Sequence, residues 1–425
     1  MREILPHTPK NARVTVPGSK SLTHRFLIGA ALADGRCTLV RPLDSEDTRL
    51  TAAALQRMGA SIDASHEEEW TVHGTGAAPG PCGEPIHLGN SGTSMRLLMG
   101  TAALGEGTYI LTGSERMQQR PVHHLLEALE RIGVPARSIS GNGCPPVEIQ
   151  GGRLRGGSTR IDCSVSSQYL SSLLLLAPSL AEGLEIDVVG GPVSRPYVDL
   201  TVSVLEAFGI RLSRDGYRSF SVPGRQRYRP GRYAVEPDCS QAGYFWAAAA
   251  VTGGAVTVAG ISPDSRQGDL RFAKVLASMG CRVEYEADAV TVAGGPLRAV
   301  RVDMADMPDL VPTLAVVAAF AQGTTRIENV PHLKAKESDR LAAVARELQR
   351  MGVDAQDTGD GLSVTGGGLH GADIRTYEDH RIAMSFAVAG LRIPEVRILG
   401  EGCVAKSFPG FWEVFDMLYR PERYE

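Results

Sequence analysis

Apolar and polar positions repeat along this chain in one pattern, six times over. A polar cluster opens an apolar stretch of helical length, a glycine or proline stops it, and a short alternating strand follows. The stops stand at Gly35, Gly107, Gly183, Gly254, Gly323 and Pro394, roughly 70 residues apart, and lead into the segments CTLV, TYIL, LEID, AVTV, TTRI and EVRI. A second marker keeps the same beat. An apolar residue followed by glycine ends a helix at Met58-Gly59, Ile132-Gly133, Phe208-Gly209, Met279-Gly280 and Met351-Gly352. Glycine after a helix is the usual left-handed cap.

Each repeat therefore predicts a strand–helix–strand–helix–strand unit. Parallel strands joined by crossover helices imply an α/β class. The sixth repeat ends in a helix, Phe411 to Tyr419, and lacks its closing strand, whereas Ala12 to Pro17 (ARVTVP) is a spare strand at the start. The N-terminal segment is expected to complete the sixth unit. That gives two similar domains of three units each, residues 18–235 and residues 1–17 plus 236–425, with the active site expected in the cleft between them. The second crossing follows a loop rich in Arg, Tyr, Pro and Gly, 225–233.

Composition narrows the function. A chain of 425 residues is long for one core and suits two. A net charge of −4 gives no basic field to attract nucleic acid. No apolar run reaches bilayer-spanning length, and the first residues lack a signal-peptide pattern. Seven scattered cysteines without a CxxC or a Cys/His cluster fit a reducing, cytoplasmic setting and no structural metal. Neither GxSxG nor a P-loop is present, and no GxGxxG has the strand before it and acidic residue after it that a dinucleotide site needs, so no nucleotide or redox cofactor is expected.

The chemistry sits where each apolar helix opens. The six clusters are Gly18-Ser-Lys20-Ser21, Asn90-Ser-Gly92-Thr93, Ser166-Ser167-Gln168, Asp238-Cys-Ser240-Gln241, Asp306-Met-Pro-Asp309 and Glu378-Asp379-His380-Arg381. Taken singly, such residues are helix caps. The helices they open are apolar nearly all round and must be buried. Several buried helix starts aimed at one region make an anion site. Cations accompany them at Lys20, Arg25, Arg120, Arg195, Lys336, Arg340, Arg381 and Lys406. Arginine is a fork and lysine a point charge for phosphate and carboxylate. Asp309 and Glu337 stand among these cations as acid–base groups. With Lys336 and Arg340 near it on a helix face, Glu337 is better placed as a base, or as an acid only after substrate phosphate offsets the cations. His380 could carry a proton or be a structural histidine.

Together these clusters resemble the 5-enolpyruvylshikimate-3-phosphate synthase family. The resemblance rests on PGSKSLTHR (17–25), LGNSGTSMR (88–96), GSERMQQRP (113–121), SSQYLSSLL (166–174), DCSQA (238–242), MPDLVPTLA (307–315), KESDR (336–340), YEDHRIAMS (377–385) and VAKSFPGFW (404–412), which cover nearly the whole chain. It implies transfer of the enolpyruvyl group of phosphoenolpyruvate to the 5-hydroxyl of shikimate 3-phosphate, through a tetrahedral intermediate that loses phosphate. It carries roles onto matching positions. Lys20, Ser21, Arg25, Ser166, Ser167, Gln168, Ser194, Tyr197, Asp309 and Lys336 would hold shikimate 3-phosphate. Lys20, Asn90, Gly92, Arg120, Gln168, Arg340, Arg381 and Lys406 would hold phosphoenolpyruvate. Asp309 would take the proton of the 5-hydroxyl, and Glu337 with Lys20 or His380 would handle the methylene proton. No metal or organic cofactor and competition by glyphosate against phosphoenolpyruvate are implied as well; a monomer is expected.

The chain departs from the family pattern at Ser91, where alanine is common, and at Leu97, where proline is common; Arg195 stands where the family varies. A related transferase acting on UDP-N-acetylglucosamine carries a loop cysteine before an Arg-Pro pair, and the stretch from Gly113 to Pro121 has none. An RNA phosphate cyclase would need a nucleotide site and a histidine motif not found here. A catalytically dead anion-binding module would not need Lys20, Asp309 and Glu337 together.

Overall fold

The computed structural model describes residues 1–152 and 154–420. By contacts the chain divides into two compact units, Gly18–Val235 and Met1–Pro17 together with the chain from Glu236 onward. Each has its own hydrophobic core, one around Trp70, Phe208 and Tyr228, the other around Phe245, Trp246 and Phe272.

Every repeat contributes a central and an outer helix. In chain order they are α1 (Lys20–Leu32), α2 (Glu46–Arg57), α3 (Gly92–Leu104), α4 (His123–Arg131), α5 (Gln168–Leu176), α6 (Arg195–Ala207), α7 (Cys239–Thr252), α8 (Phe272–Ser278), α9 (Val311–Ala319), α10 (Arg340–Arg350), α11 (His380–Gly390) and α12 (Phe411–Asp416). Odd numbers through α11 are central, apart from α1 to α5 and α7 to α11 belonging to different units. Composition explains the difference. In α9 and α11 every residue is buried, because they carry no apolar-to-polar alternation that would leave a wet face. The outer α4 and α10 are strongly amphipathic and bury one stripe.

The central helices of a unit run in the same direction and in register. In one unit Arg96 Nη1 lies 3.0 Å from Gln168 Oε1, and the Gly100 amide donates to Ser172 Oγ at 3.1 Å; both pairs are 72 residues apart. In the other, Thr313 and Ser385 share a hydroxyl hydrogen bond of 2.9 Å, again 72 apart. A constant offset is the mark of parallel alignment, so the helix N-termini of a unit point the same way. Gly100 allows α3 to approach α5 this closely: a Cβ there would stand 2.7 Å from the Ser172 oxygens.

The sheets are mixed. In the fifth repeat the spatial order is Arg301–Asp303, Thr324–Glu328, Leu362–Thr365, Asp354–Asp357; the first pairing is parallel and spans α9, the other two are antiparallel. The unit is thus one strand longer than the sequence pattern predicts. A short turn after the outer helix closes a hairpin, and a hairpin is antiparallel by construction. The N-terminal assignment also changes. Ala12–Thr15 pairs in parallel with Ala255–Ala259 of the fourth repeat, while Arg2–Ile4 pairs antiparallel with Val396–Leu399 and closes the sixth. Pro6 and Pro9 divide the segment in two, because proline cannot donate to a ladder. Likewise Arg232–Ala234, just before α7, pairs with Arg36–Val40 of the first repeat.

Candidate active site

In the unit Gly18–Val235, functional side chains gather at the N-terminal ends of α1, α3 and α5. No side chain caps α1. Its first residue, Lys20, is buried, with Nζ 2.9 Å from Asp47 Oδ2. Asp47 comes from the first turn of α2 and is itself 1% exposed. A chain of hydroxyls runs beside it: Ser91 to Ser94 at 2.6 Å, Ser94 to Thr51 at 2.7 Å, and Thr51 to His24 Nδ1 at 2.8 Å. Ser91 also accepts from the Ser94 amide and so caps α3.

Arg120 is buried, and its Nη1 donates to Asn90 O at 2.9 Å and Asn90 Oδ1 at 3.1 Å. The guanidinium lies over Gly92, where a Cβ would meet Arg120 Nη2 at 2.4 Å and Arg96 Nη1 at 2.8 Å. The amide of Gln168 is fixed at both ends. Its Oε1 accepts from Arg96 and its Nε2 donates to Thr93 Oγ1 at 3.0 Å.

Arg25 is 1% exposed, and its hydrogen-bond partners among the described residues are all neutral. Nε donates to Thr201 Oγ1 at 2.7 Å, Nη1 to Ser21 O at 2.8 Å, and Nη2 to Ser171 Oγ at 3.2 Å and Tyr197 O at 3.1 Å. Burial lowers its pKa to about 10. A buried guanidinium without a carboxylate calls for an anion. Ser167 and Ser194 are buried, and Ser194 holds a left-handed φ of 55° just before α6. Ser166 Oγ accepts from the Gln168 amide at 3.3 Å. Arg195, by contrast, opens an outer helix, is exposed, and stacks over Tyr217 at 5.4 Å.

In the other unit the cluster is ionic. Asp309, in a single 3-10 turn that feeds α9, accepts from Arg340 Nη1 at 2.9 Å and from Arg381 Nη2 at 3.1 Å. Arg340 also donates to Glu337 Oε2 at 2.8 Å and, through Nε, to Asp379 Oδ2 at 2.8 Å. Asp379 is fully buried, caps α11 through the Arg381 amide, and accepts from Ser338 Oγ at 3.0 Å. Arg381 reaches Tyr244 OH at 3.1 Å. His380 is 1% exposed, with Nδ1 3.8 Å from Asp379 Oδ1. Lys406 is buried at the end of the 3-10 turn Glu401–Lys406.

Lys336 and Glu337 precede α10 rather than open it. The helix begins at Arg340 because Asp339 caps the Ala342 amide. Glu337 therefore reaches Arg340 from a bend, and Lys336 does not share a helix face with it.

Burial alone would raise the Asp309 pKa. Arg381, Lys336 and Arg340 outweigh it and hold the carboxyl far below the usual range. For Arg340, burial is likewise overcome, by Asp379, Glu337 and Asp309, and its pKa rises. His332, beneath this cluster, is driven down to about 3 by burial and then by Lys336.

Several contributors were not singled out from sequence. Asp47 lies in SEDTRL, where an acidic residue in a first turn reads as a dipole partner; only its burial betrays a second role. Arg96 stands four residues after Gly92 and so shares its helix face, a spacing that could have pointed to it. Asp379 looks like an ordinary cap, and it is one, as well as the anchor of Arg340.

Comparisons with known proteins agree in one direction. The sequence profile of the family described as EPSP synthase (3-phosphoshikimate 1-carboxyvinyltransferase) matches residues 5–415. A 3-phosphoshikimate 1-carboxyvinyltransferase of Syntrophobacter fumaroxidans is 45% identical over 425 residues, covering 98% of this chain and 99% of its own. One of Methanoregula boonei is 46% identical over 402 residues, covering 94% and 95%. Among solved structures, an EPSP synthase from Acinetobacter baumannii superposes with a TM-score of 0.79 at 31% identity, covering 97% of each chain.

Proposed function

This chain belongs to the EPSP synthase family, and from that premise we propose how its own side chains divide the work. The reaction moves the enolpyruvyl group of phosphoenolpyruvate to the 5-hydroxyl of shikimate 3-phosphate and releases phosphate, a transferase step of the shikimate pathway to aromatic amino acids.

In the unit Gly18–Val235 we assign Ser21, Arg25, Ser166, Ser167, Gln168, Ser194 and Tyr197 to shikimate 3-phosphate. The observation that carries this is Arg25, a buried cation whose hydrogen-bond partners among the described residues are all neutral. Lys20, Asn90, Gly92, Arg120 and Gln168 are assigned to phosphoenolpyruvate, with Lys20 serving both substrates. In the other unit Arg340, Arg381 and Lys406 take phosphoenolpyruvate, and Lys336 and Asp309 take shikimate 3-phosphate.

Asp309 is the base for the 5-hydroxyl. While it is spent on two arginines its proton affinity is low, which makes it a weak base. An anionic donor arriving on Arg340 and Arg381 shares those cations and raises the basicity of Asp309 when the substrate is in place. The 5-oxygen then adds to C2 of the donor as a proton reaches its methylene carbon. That methyl group gives a proton back as the C–O bond to phosphate breaks. Glu337, with a side chain 9% exposed beside Arg340, and Lys20 handle this proton. His380, at 1%, is better placed as a packing residue of α11. A coupled assay for phosphate release from the two substrates, run on the wild type and on Asp309→Asn, tests the reading: wild-type turnover with loss in the variant is expected, and full turnover in the variant would overturn it.

No helix among the described residues is long and apolar enough to cross a membrane. All seven cysteines are free. On that basis we place the enzyme in the reducing cytoplasm. Large exposed apolar side chains are few among the described residues, which suits a monomer.

A further inference from the structure

The segment that delivers Asp379 and Arg381 is bent in a way its sequence does not favour. The Asp379 amide donates to Thr376 O at 2.8 Å, closing a four-residue turn, and its two central residues, Tyr377 and Glu378, both hold a φ of 54°. Positive φ at both centres is the mark of the mirror-image turn class, where Asn-Gly and Gly-Gly are the usual occupants. A bulky residue such as tyrosine there is an outlier, and such outliers persist only where the surroundings over-determine them.

The surroundings do so through α10. Glu347, fully buried, accepts from Tyr377 OH at 2.7 Å with one carboxylate oxygen and from the Arg375 amide at 3.0 Å with the other. Arg350 Nε joins it at 3.1 Å. Seven residues earlier, on the same face of the helix, Arg340 grips Asp379 at the far end of the turn. One helix thus holds the turn at both ends, with an anion on donors at one and a cation on a carboxylate at the other. Glu347 touches none of the groups assigned to substrate, and solvation alone would not keep a carboxylate buried in that place.

We propose that Glu347 is a positioning residue for the transferase reaction, clamping the turn at Tyr377 and Glu378 so that Arg381 is aimed at the donor. The inference rests on the assignment of Arg381 to phosphoenolpyruvate.

Steady-state kinetics with each substrate varied in turn tests it. Tyr377→Phe deletes one hydrogen bond, and Glu347→Gln places an amide donor against a donor. Each should raise KM for phosphoenolpyruvate about three- to ten-fold, the worth of a hydrogen bond or two, and leave KM for shikimate 3-phosphate near wild type. Glu378→Gly, at an exposed position, adopts positive φ without strain. Added to Tyr377→Phe it should restore the donor KM. Arg381→Ala serves as the reference. If it raises the donor KM while Tyr377→Phe and Glu347→Gln lower only the melting temperature, the clamp is structural and the proposal falls, with the assignment of Arg381 intact. A raised KM that Glu378→Gly fails to restore overturns it too, since the phenol would then act by another route. An unchanged donor KM in Arg381→Ala removes the assignment itself and the clamp with it.

Discussion

Asp309 and Arg381 form an ion pair of 3.1 Å between positions 72 residues apart, so the carboxylate of one repeat is held by the cation at the same place in the next. The repeat is therefore a means of bringing unlike residues together, not only of building a stable core. Thr313 and Ser385 show the same offset one turn further along, with two hydroxyls where the mouth has charges.

Asp309→Asn keeps the shape and removes the carboxylate proposed as the base. Turnover should fall by about 10² to 10⁴, the usual worth of a positioned acid–base group. Affinity for shikimate 3-phosphate, read by calorimetry, should change much less. A collapse of affinity with turnover of the bound enzyme preserved would make Asp309 a binding residue only. Because its pKa in the free enzyme lies far below the usual range, the acidic limb of the wild-type kcat/KM–pH profile, which reports the free enzyme, should belong to another group and should persist when Asp309 is replaced.

Truncating the cations tests the donor assignment. Each charge-assisted hydrogen bond is worth roughly 1.5–3 kcal/mol. Arg120→Ala, Arg340→Ala, Arg381→Ala and Lys406→Ala should each lower kcat/KM for phosphoenolpyruvate by about ten- to a hundred-fold. Arg340→Ala should in addition lower the melting temperature, since it strands the fully buried Asp379. Wild-type kinetics in the Arg120 and Arg381 variants would remove the assignment.

Gly92→Ala should act through Arg120. The new methyl would stand 2.4 Å from Nη2, and the guanidinium is tied to Asn90, so it must turn away. We expect a raised KM for phosphoenolpyruvate and a larger loss of glyphosate inhibition, on the scale of roughly 1–3 kcal/mol for a methyl forced into a packed site. The measurement is an inhibition series at fixed phosphoenolpyruvate on the wild type, Gly92→Ala and Leu97→Pro. A wild type that is already tolerant, with inhibition appearing only in Leu97→Pro, would shift control to the tilt of α3.

His332 makes stability depend on pH. Its folded pKa of about 3 lies below the ordinary 6.5, so between those values the unfolded chain binds a proton that the folded one refuses. Stability is fully present above the unfolded value and is lost as pH falls towards the folded one. The loss should be about 2 kcal/mol between about pH 7 and about pH 5. The contribution of Asp309 disappears only below its ordinary value of 3.8, so the two windows separate. Chemical denaturation of His332→Gln over the same range should show a flatter slope; an unchanged slope would assign it to other groups.

The repeat was legible in the sequence because glycine stops and all-apolar helices are local signals. Gly107 and Gly183 mark their strands whatever the rest of the chain does. Strand partners were not local. Nothing within Ala12–Thr15 says that it pairs with Ala255–Ala259 rather than with the sixth repeat, since both choices bury Val14. In the candidate site, Lys20, Arg340 and Arg381 stood out because cations at the mouths of buried helices are unusual. Asp47 and Glu347 did not. Each lies on an amphipathic helix where a charge reads as the wet face, and only the third dimension shows that it is buried and bonded.

The pairing of Arg2–Ile4 with Val396–Leu399 has a consequence in time. A ribosome adds about 5–20 residues each second, so Arg2–Ile4, once made, waits tens of seconds for its partner. Residues 18–235 can meanwhile close as an uninterrupted stretch, and Ala12–Thr15 finds Ala255–Ala259 soon after. The sixth sheet comes last. A nascent chain stalled short of residue 396 should therefore protect the Gly18–Val235 unit from protease and leave Arg2–Ile4 open to cleavage.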